Sequence, residues 1–150
     1  MARAPFQVLA FPFCGWDKNL EYAIFRRSDA DYWQGIAGGG EGDETPLEAA
    51  RREGEEEAGI PAESHYVALD AVSEKPVEQV VGTLLWGKDV LVIPEYCFGV
   101  EVFDKQLVLS REHTEYRWVP FDTAMAMLHW DSNKTALQEL ERRLLLQSVD

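Results

Sequence analysis

Nowhere does the sequence run to the roughly 20 continuous apolar residues that a membrane-spanning helix needs, which excludes a helical integral membrane protein. Cysteine is scarce. Cys14 and Cys97 are the only two, and neither sits in a Cys-x-x-Cys or cysteine-histidine spacing that would bind zinc. A disulfide scaffold and a structural zinc are excluded; with no basic-flanked apolar leader either, a reducing cytoplasm is the expected compartment. Positive charge is also short, with 14 Lys and Arg against 27 Asp and Glu, a net −13. Such a chain repels a nucleic-acid backbone unless its basic residues gather into a stripe, and no stripe is present. It can still handle a small phosphorylated ligand if divalent cations sit between its carboxylates and the phosphates. What is there, 150 residues of which 46% are hydrophobic and 27% charged, describes one folded domain spanning 1–150 that can bury its own core.

Apolar, β-favouring residues over 6–13 and 20–27, separated by the Gly15-Trp16-Asp17-Lys18-Asn19 punctuation, predict a hairpin. Pro12 weakens the end of its first strand, because proline cannot donate to a ladder. A short strand over 32–37 is expected to run into a loop at Gly38-Gly39-Gly40. Helix is predicted over 45–58, with Thr-Pro at its start and Gly59 and Pro61 past its end. Further strands are expected over 66–72, 80–86, 93–103 and 115–119, with a hairpin turn at Gly87-Lys88-Asp89. Helices over 122–128 and 133–146 follow, the second carrying Leu137, Leu140, Leu144 and Leu145 at helical spacing. Strands interleaved with helices imply an α/β fold with a mixed sheet covered on both faces.

The predicted helix over 45–58 is unusual in its charge. At helical spacing Glu53, Glu56 and Glu57 share one arc, while Leu47, Ala50, Gly54 and Ala58 form the stripe expected to bury. Like charges at these spacings destabilise a helix by a few tenths of a kcal/mol per pair, and their place near its C-terminus adds to the cost. A hard divalent cation bound by their oxygens would offset this; a solvated acidic face is the alternative.

The segment has a fixed pattern: Gly38, five residues, Glu44, seven residues, then Arg52-Glu53-Gly54-Glu55-Glu56-Glu57-Ala58-Gly59-Ile60. It resembles the Nudix hydrolase signature at every defined position except Gly54, where the family has an apolar residue that anchors the helix to the sheet. The resemblance implies a Nudix-type α/β/α sandwich with a mixed central sheet and a loop-helix-loop catalytic motif. It implies Mg²⁺ as cofactor, with Mn²⁺ as an alternative, held by Glu53, Glu56 and Glu57. Arg52 would orient those carboxylates and Glu44 would assist. Asp31-Tyr32-Trp33-Gln34, Glu112-His113 with Tyr116-Arg117-Trp118, and Trp130 with Ser132-Asn133 are similar to the dihydroneopterin triphosphate pyrophosphatase branch.

Glu112, in a polar loop before a strand, is a candidate fourth metal ligand or general base, since some relatives use a glutamate from this region. His113 beside it titrates near neutrality, with a structural role as the alternative. Arg26 and Arg27 suit phosphate oxygens, and Gly38 and Gly39 would bring bare backbone to the substrate. Trp33, Tyr96 and Trp130 are candidates to stack on a base or pterin ring, core packing being the other reading of each. Asn133 either reads a ring edge or caps the last helix. The implied activity is hydrolysis of a nucleoside or pterin triphosphate to monophosphate and pyrophosphate by a monomer or homodimer, with no nucleic-acid or membrane partner. A dinucleoside polyphosphate or nucleotide-sugar substrate, or nucleotide sensing without cleavage, are the alternatives.

Overall fold

The computed structural model describes residues 2–147. Its centre is β1 (Arg3–Cys14), which runs parallel to β6 (Val92–Glu101) on one side and antiparallel to β4 (Ile36–Glu41) on the other. β5 (Tyr66–Pro76) lies beyond β6, and β2 (Glu21–Arg27) joins β1 through Phe13 opposite Tyr22 and Cys14 opposite Glu21. The expected hairpin is therefore closed only at its turn; further along, β2 pairs instead with β3 (Trp33–Gln34) and β7 (His113–Val119). Pro12 does not end β1, because the strand continues through it beside Val100.

Among the described residues four α-helices flank the sheet: α1 (Pro46–Ala58), the short α2 (Val77–Val81), α3 (Phe121–Met127) and α4 (Asp131–Gln147). Alternation along β1 divides the core. Val8 and Ala10 pack with Ala49, Ala50 and Ala58 of α1, whereas Leu9 and Phe11 pack with Ala136, Leu137 and Leu140 of α4. The sheet is thus mixed and covered on both faces, as expected. Among the described residues no helix is long and apolar enough to cross a membrane.

Two expectations fail. Gly38, Gly39 and Gly40 are not a loop but the middle of β4, with Gly38 opposite Val8 and Gly39 opposite Gln7. Glycine reads as a turn because it permits so many conformations, yet an adjacent strand supplies a ladder that decides otherwise. Nor do residues 80–86 form a strand. α2 ends at Gly82 (φ 81°), Gly87 has φ 99°, and residues 82–91 form turns that carry the chain from β5 back to β6. Val80 and Val81 are β-favouring, but the pairing positions opposite β6 are already taken by β5, which extends to Pro76.

Two side chains of α4 repair breaks in the sheet. β3 is antiparallel to β2 and β4 is antiparallel to β1, so the chain must change direction at Gly35, whose freed N–H donates to Asn133 Oδ1 at 2.9 Å. β5 loses register with β6 between Ala68 and Val72, and there Glu139 accepts from the N–H groups of Asp70 (2.7 Å) and Ala71 (2.8 Å). Both interactions satisfy donors that the ladder leaves over.

Candidate active site

Local chemistry sets the limits of α1. Thr45 accepts from Glu48 N–H while the Glu48 carboxylate accepts from Thr45 N–H, a reciprocal capping box, and Pro46 occupies the first turn. At the other end Gly59 is left-handed (φ 68°) and its N–H bonds Glu55 O. The helix lies against β4, where Gly38 sits so close to Glu53 that a Cβ there would fall 2.2 Å from the carboxylate carbon. Any side chain at 38 would evict that carboxylate.

The charged and apolar arcs of α1 prove to be neighbours rather than opposites. Its buried residues are Ala49, Ala50, Glu53, Gly54, Glu57 and Ala58, while Leu47, expected in the stripe, is exposed in the first turn. Glu53 and Glu57 are only 8% and 3% exposed. Glu56 turns outward, 58% of its side chain exposed, and accepts from Arg52 at 3.2 Å. Among the described residues no three acidic, histidine or cysteine side chains close on one point, so the expected convergence of Glu53, Glu56 and Glu57 is not present.

Arg52 holds this end together. Its guanidinium donates to both oxygens of Glu44 (2.8 and 3.0 Å), to Glu53 (2.9 Å) and to the carbonyl of Gly39 (2.8 Å). Hydrogen bonding to Arg52 holds the Glu44 carboxyl below its usual range. Burial pushes Glu53 and Glu57 upward; Arg52 opposes the shift at Glu53, whereas Glu112 and Glu53 reinforce it at Glu57. Glu112 arrives from a loop fastened to the end of α1, where Val108 N–H bonds Ala58 O and Ser110 N–H bonds Glu57 O. Glu57 Oε2 is buried with no hydrogen-bond partner. An orphaned, buried carboxylate oxygen influenced by two further carboxyls has the oxygen chemistry of a hard divalent-cation site, although the three do not close on one point.

These carboxylates face a cleft of about 650 Å³. Glu53, Glu57, Glu112, Arg27, Gly38, Gly39, Trp130 and Asn133 line it. Other candidates lie elsewhere. Arg26 pairs with Asp31 and Glu115 outside the cleft, Trp33 lies beneath the Arg117 guanidinium at 5.2 Å, and Tyr96 packs edge-on to Phe6 in the α1-side core. Arg52 and Glu56 do not line the cleft. Asn133 uses its amide oxygen on Gly35, a role in the sheet that neither earlier reading foresaw. His113 is buried against Phe25 at 5.3 Å with both ring nitrogens unpartnered, and burial lowers its pKa; it does not line the cleft.

Sequence reasoning missed Arg3, Gln7, Lys75 and Glu95, which also line the cleft. Arg3 lies across Gly39, where a Cβ would fall 1.9 Å from its Nε, and that Nε is buried without a partner. All four come from strands β1, β5 and β6, whose convergence leaves no local pattern in the sequence.

Gly54, the departure within the signature-like segment, has its own explanation. A Cβ there would fall 2.2 Å from the hydroxyl of Tyr66, which donates to Ala50 O at 3.2 Å. The space that an apolar residue would fill is taken by Tyr66 from β5.

A mixed sheet between helices, with buried carboxylates of a capped helix facing a cleft, is the architecture of solved Nudix structures, and membership of that family makes the chain a hydrolase of phosphoric anhydrides. The NUDIX domain profile matches residues 16–140, and the chain belongs to that family, whose hydrolases generally use divalent cations. It is 30% identical over 128 residues to the bis(5'-nucleosyl)-tetraphosphatase (asymmetrical) of Rattus norvegicus, covering 81% of this chain and 78% of that protein. It is 28% identical over 126 residues to the dihydroneopterin triphosphate diphosphatase of Escherichia coli, covering 82% and 83%. A NUDIX hydrolase structure from Listeria monocytogenes superposes with a TM-score of 0.84 at 40% identity, covering 98% of this chain and 97% of that one.

Proposed function

We propose that this chain is a Mg²⁺-dependent pyrophosphohydrolase that splits a nucleoside or pterin triphosphate into the monophosphate and pyrophosphate. The observation that carries this reading is the unpartnered Glu57 oxygen, buried beside Glu53 and Glu112 in a cleft of a volume that suits a nucleotide. Glu53, Glu57 and Glu112 would hold the cation, and Glu56 would join them by giving up its contact with Arg52. When bound, Mg²⁺ supplies positive charge against the phosphate oxygens and acidifies the attacking water.

The chain's own groups do the rest. Arg52 keeps Glu53 in place while Glu44 anchors Arg52. Arg27 and the free Nε–H of Arg3 would donate to phosphate oxygens, relieving the anionic charge that otherwise repels a nucleophile. Glu112, exposed on the cleft wall, would accept the proton of the water as it attacks phosphorus in line. Trp130, at the cleft's other end, would pack against the ring.

The named substrate of the Rattus norvegicus relative supports a second reading, cleavage of a dinucleoside tetraphosphate. A Mg²⁺-dependent screen of nucleoside triphosphates, dihydroneopterin triphosphate and diadenosine tetraphosphate separates them. Pyrophosphate with a monophosphate is the expected product pair; a mononucleotide with a nucleoside triphosphate selects the second reading, and no cation-dependent product from any substrate rejects both.

A further inference from the structure

The cleft also contains a carboxylate that the proposed hydrolysis does not use. Glu95 of β6 is 3% exposed and lines the cleft beside Lys75 of β5. Its protein contacts are long: Ser73 Oγ donates at 3.3 Å and Lys75 Nζ lies at 3.7 Å. Both fall on Oε1, and among the described residues Oε2 accepts no hydrogen bond. Lys75 also donates to Ser132 Oγ at 3.0 Å and sits 5.7 Å from the centre of the Trp130 ring. Of its three N–H donors at least one therefore remains for a ligand.

We propose that Glu95 and Lys75 form a ring-edge subsite that selects the 2-amino-4-oxopyrimidine edge shared by guanine and pterins. That edge presents, in order, an exocyclic NH2, a ring N–H and a carbonyl oxygen. A carboxylate accepts from the first two in parallel, and an adjacent ammonium donates to the third. No other common base offers two neighbouring donors: adenine and cytosine pair one amino group with a ring acceptor, and uracil's single N–H is flanked by carbonyls. Burial strengthens the discrimination, because a wrong ring would leave a desolvated carboxylate facing a lone pair. Trp130, 40% exposed, and Tyr32, edge-on to it at 5.5 Å, give the flat ring aromatic surface at the same end. The inference deepens the proposed function and rests on it for the orientation of substrate, with phosphates toward Glu57 and ring toward Glu95.

The test reads binding rather than turnover. The full chain is titrated calorimetrically, in Mg²⁺, with GMP, AMP and dihydroneopterin monophosphate. Wild type is expected to bind GMP and the pterin roughly 10- to 100-fold more tightly than AMP, the span that one bidentate edge contact gives. Glu95→Gln replaces one acceptor by a donor, which matches the adenine edge, so the preference should invert toward AMP. Lys75→Met keeps the aliphatic stem, and should weaken GMP and the pterin while leaving AMP nearly unchanged. Equal binding of AMP and GMP by wild type, no saturable binding of any of the three, or an unaltered ratio in both variants overturns the subsite. Selectivity of the expected kind with no pyrophosphate released from any triphosphate upholds the subsite and rejects the triphosphate pyrophosphohydrolase reading. Pyrophosphate release without ring selectivity does the reverse.

Discussion

At the α1 end of the cleft Glu57 keeps a buried oxygen with no hydrogen-bond partner, whereas at the α4 end Glu95 accepts from Ser73 and faces Lys75 at 3.7 Å. Burial pushes the carboxyl upward in both. The difference lies in what opposes it: two more carboxylates surround Glu57 and deepen the strain, while an ammonium and a hydroxyl relieve Glu95. A buried charge left uncompensated by its own protein marks a place where a cation is to be supplied from outside. One compensated from within is free to recognise neutral N–H groups. Glu139 of α4, outside the cleft, goes further still: burial opposes ionisation, but the N–H groups of Asp70 and Ala71 together with Arg143 prevail and hold its carboxyl below the usual 4.5.

The substitution with the largest expected effect sharpens this contrast by giving activity and stability opposite signs. Glu57→Gln should reduce pyrophosphate release by ~10²- to 10³-fold. In the absence of metal it should raise the melting temperature, because burial pushes the Glu57 carboxyl upward and folding at neutral pH must hold it protonated against its ordinary tendency to ionise, a cost that glutamine does not carry. Wild-type turnover at saturating Mg²⁺, or a lower metal-free melting temperature, would break the comparison.

Arg52→Lys comes next. A lysine cannot bridge Glu44, Glu53 and the Gly39 carbonyl at once. The Mg²⁺ concentration for half-maximal activity should rise roughly 10- to 100-fold, with much of the maximal rate recovered at high cation. A fallen maximum at an unchanged Mg²⁺ requirement would place Arg52 on the substrate instead.

Gly54→Ala should destabilise the fold by about 1–3 kcal/mol through overpacking against the Tyr66 hydroxyl. The sign is informative, since alanine improves helix propensity by about 1 kcal/mol where space allows. Adding Tyr66→Phe removes the obstructing oxygen and should recover most of the loss. Strictly additive losses in urea denaturation would show that the two residues do not share that space.

The smallest effect is expected at Glu139. Because its folded carboxyl is held below 4.5, its contribution is present above that pH and disappears as pH falls through the folded value. Glu139→Gln should therefore cost about 1 kcal/mol or less at neutral pH, and the gap from wild type should close on acidification. A gap that widens in acid would contradict the assigned direction.

The parts of this molecule that could be read in advance are those whose causes are local. Thr45, Pro46 and Gly59 cap α1 through neighbours in sequence, and Glu53 and Glu57 share a face because a helix repeats every ~3.6 residues. The run Gly38 to Gly40 was misread because its conformation is set by pairing with Gln7 and Val8, thirty residues earlier. Residues 80–86 read as a strand because valine favours strands, and only the register of β5 against β6 removes the partner such a strand requires. Arg3, Lys75 and Glu95 had no signal, since each lies in a different strand.

By itself the sequence determined an acidic, capped helix with two carboxylates one turn apart, and with it the class of reaction. Tertiary structure decided which carboxylates are buried, which is left without a partner, and which distant side chains complete the cleft. The physical reason is that helix caps and helical spacing act over a few residues of chain. Desolvation and charge compensation depend on everything within a few ångströms of space, which only the folded sheet brings together.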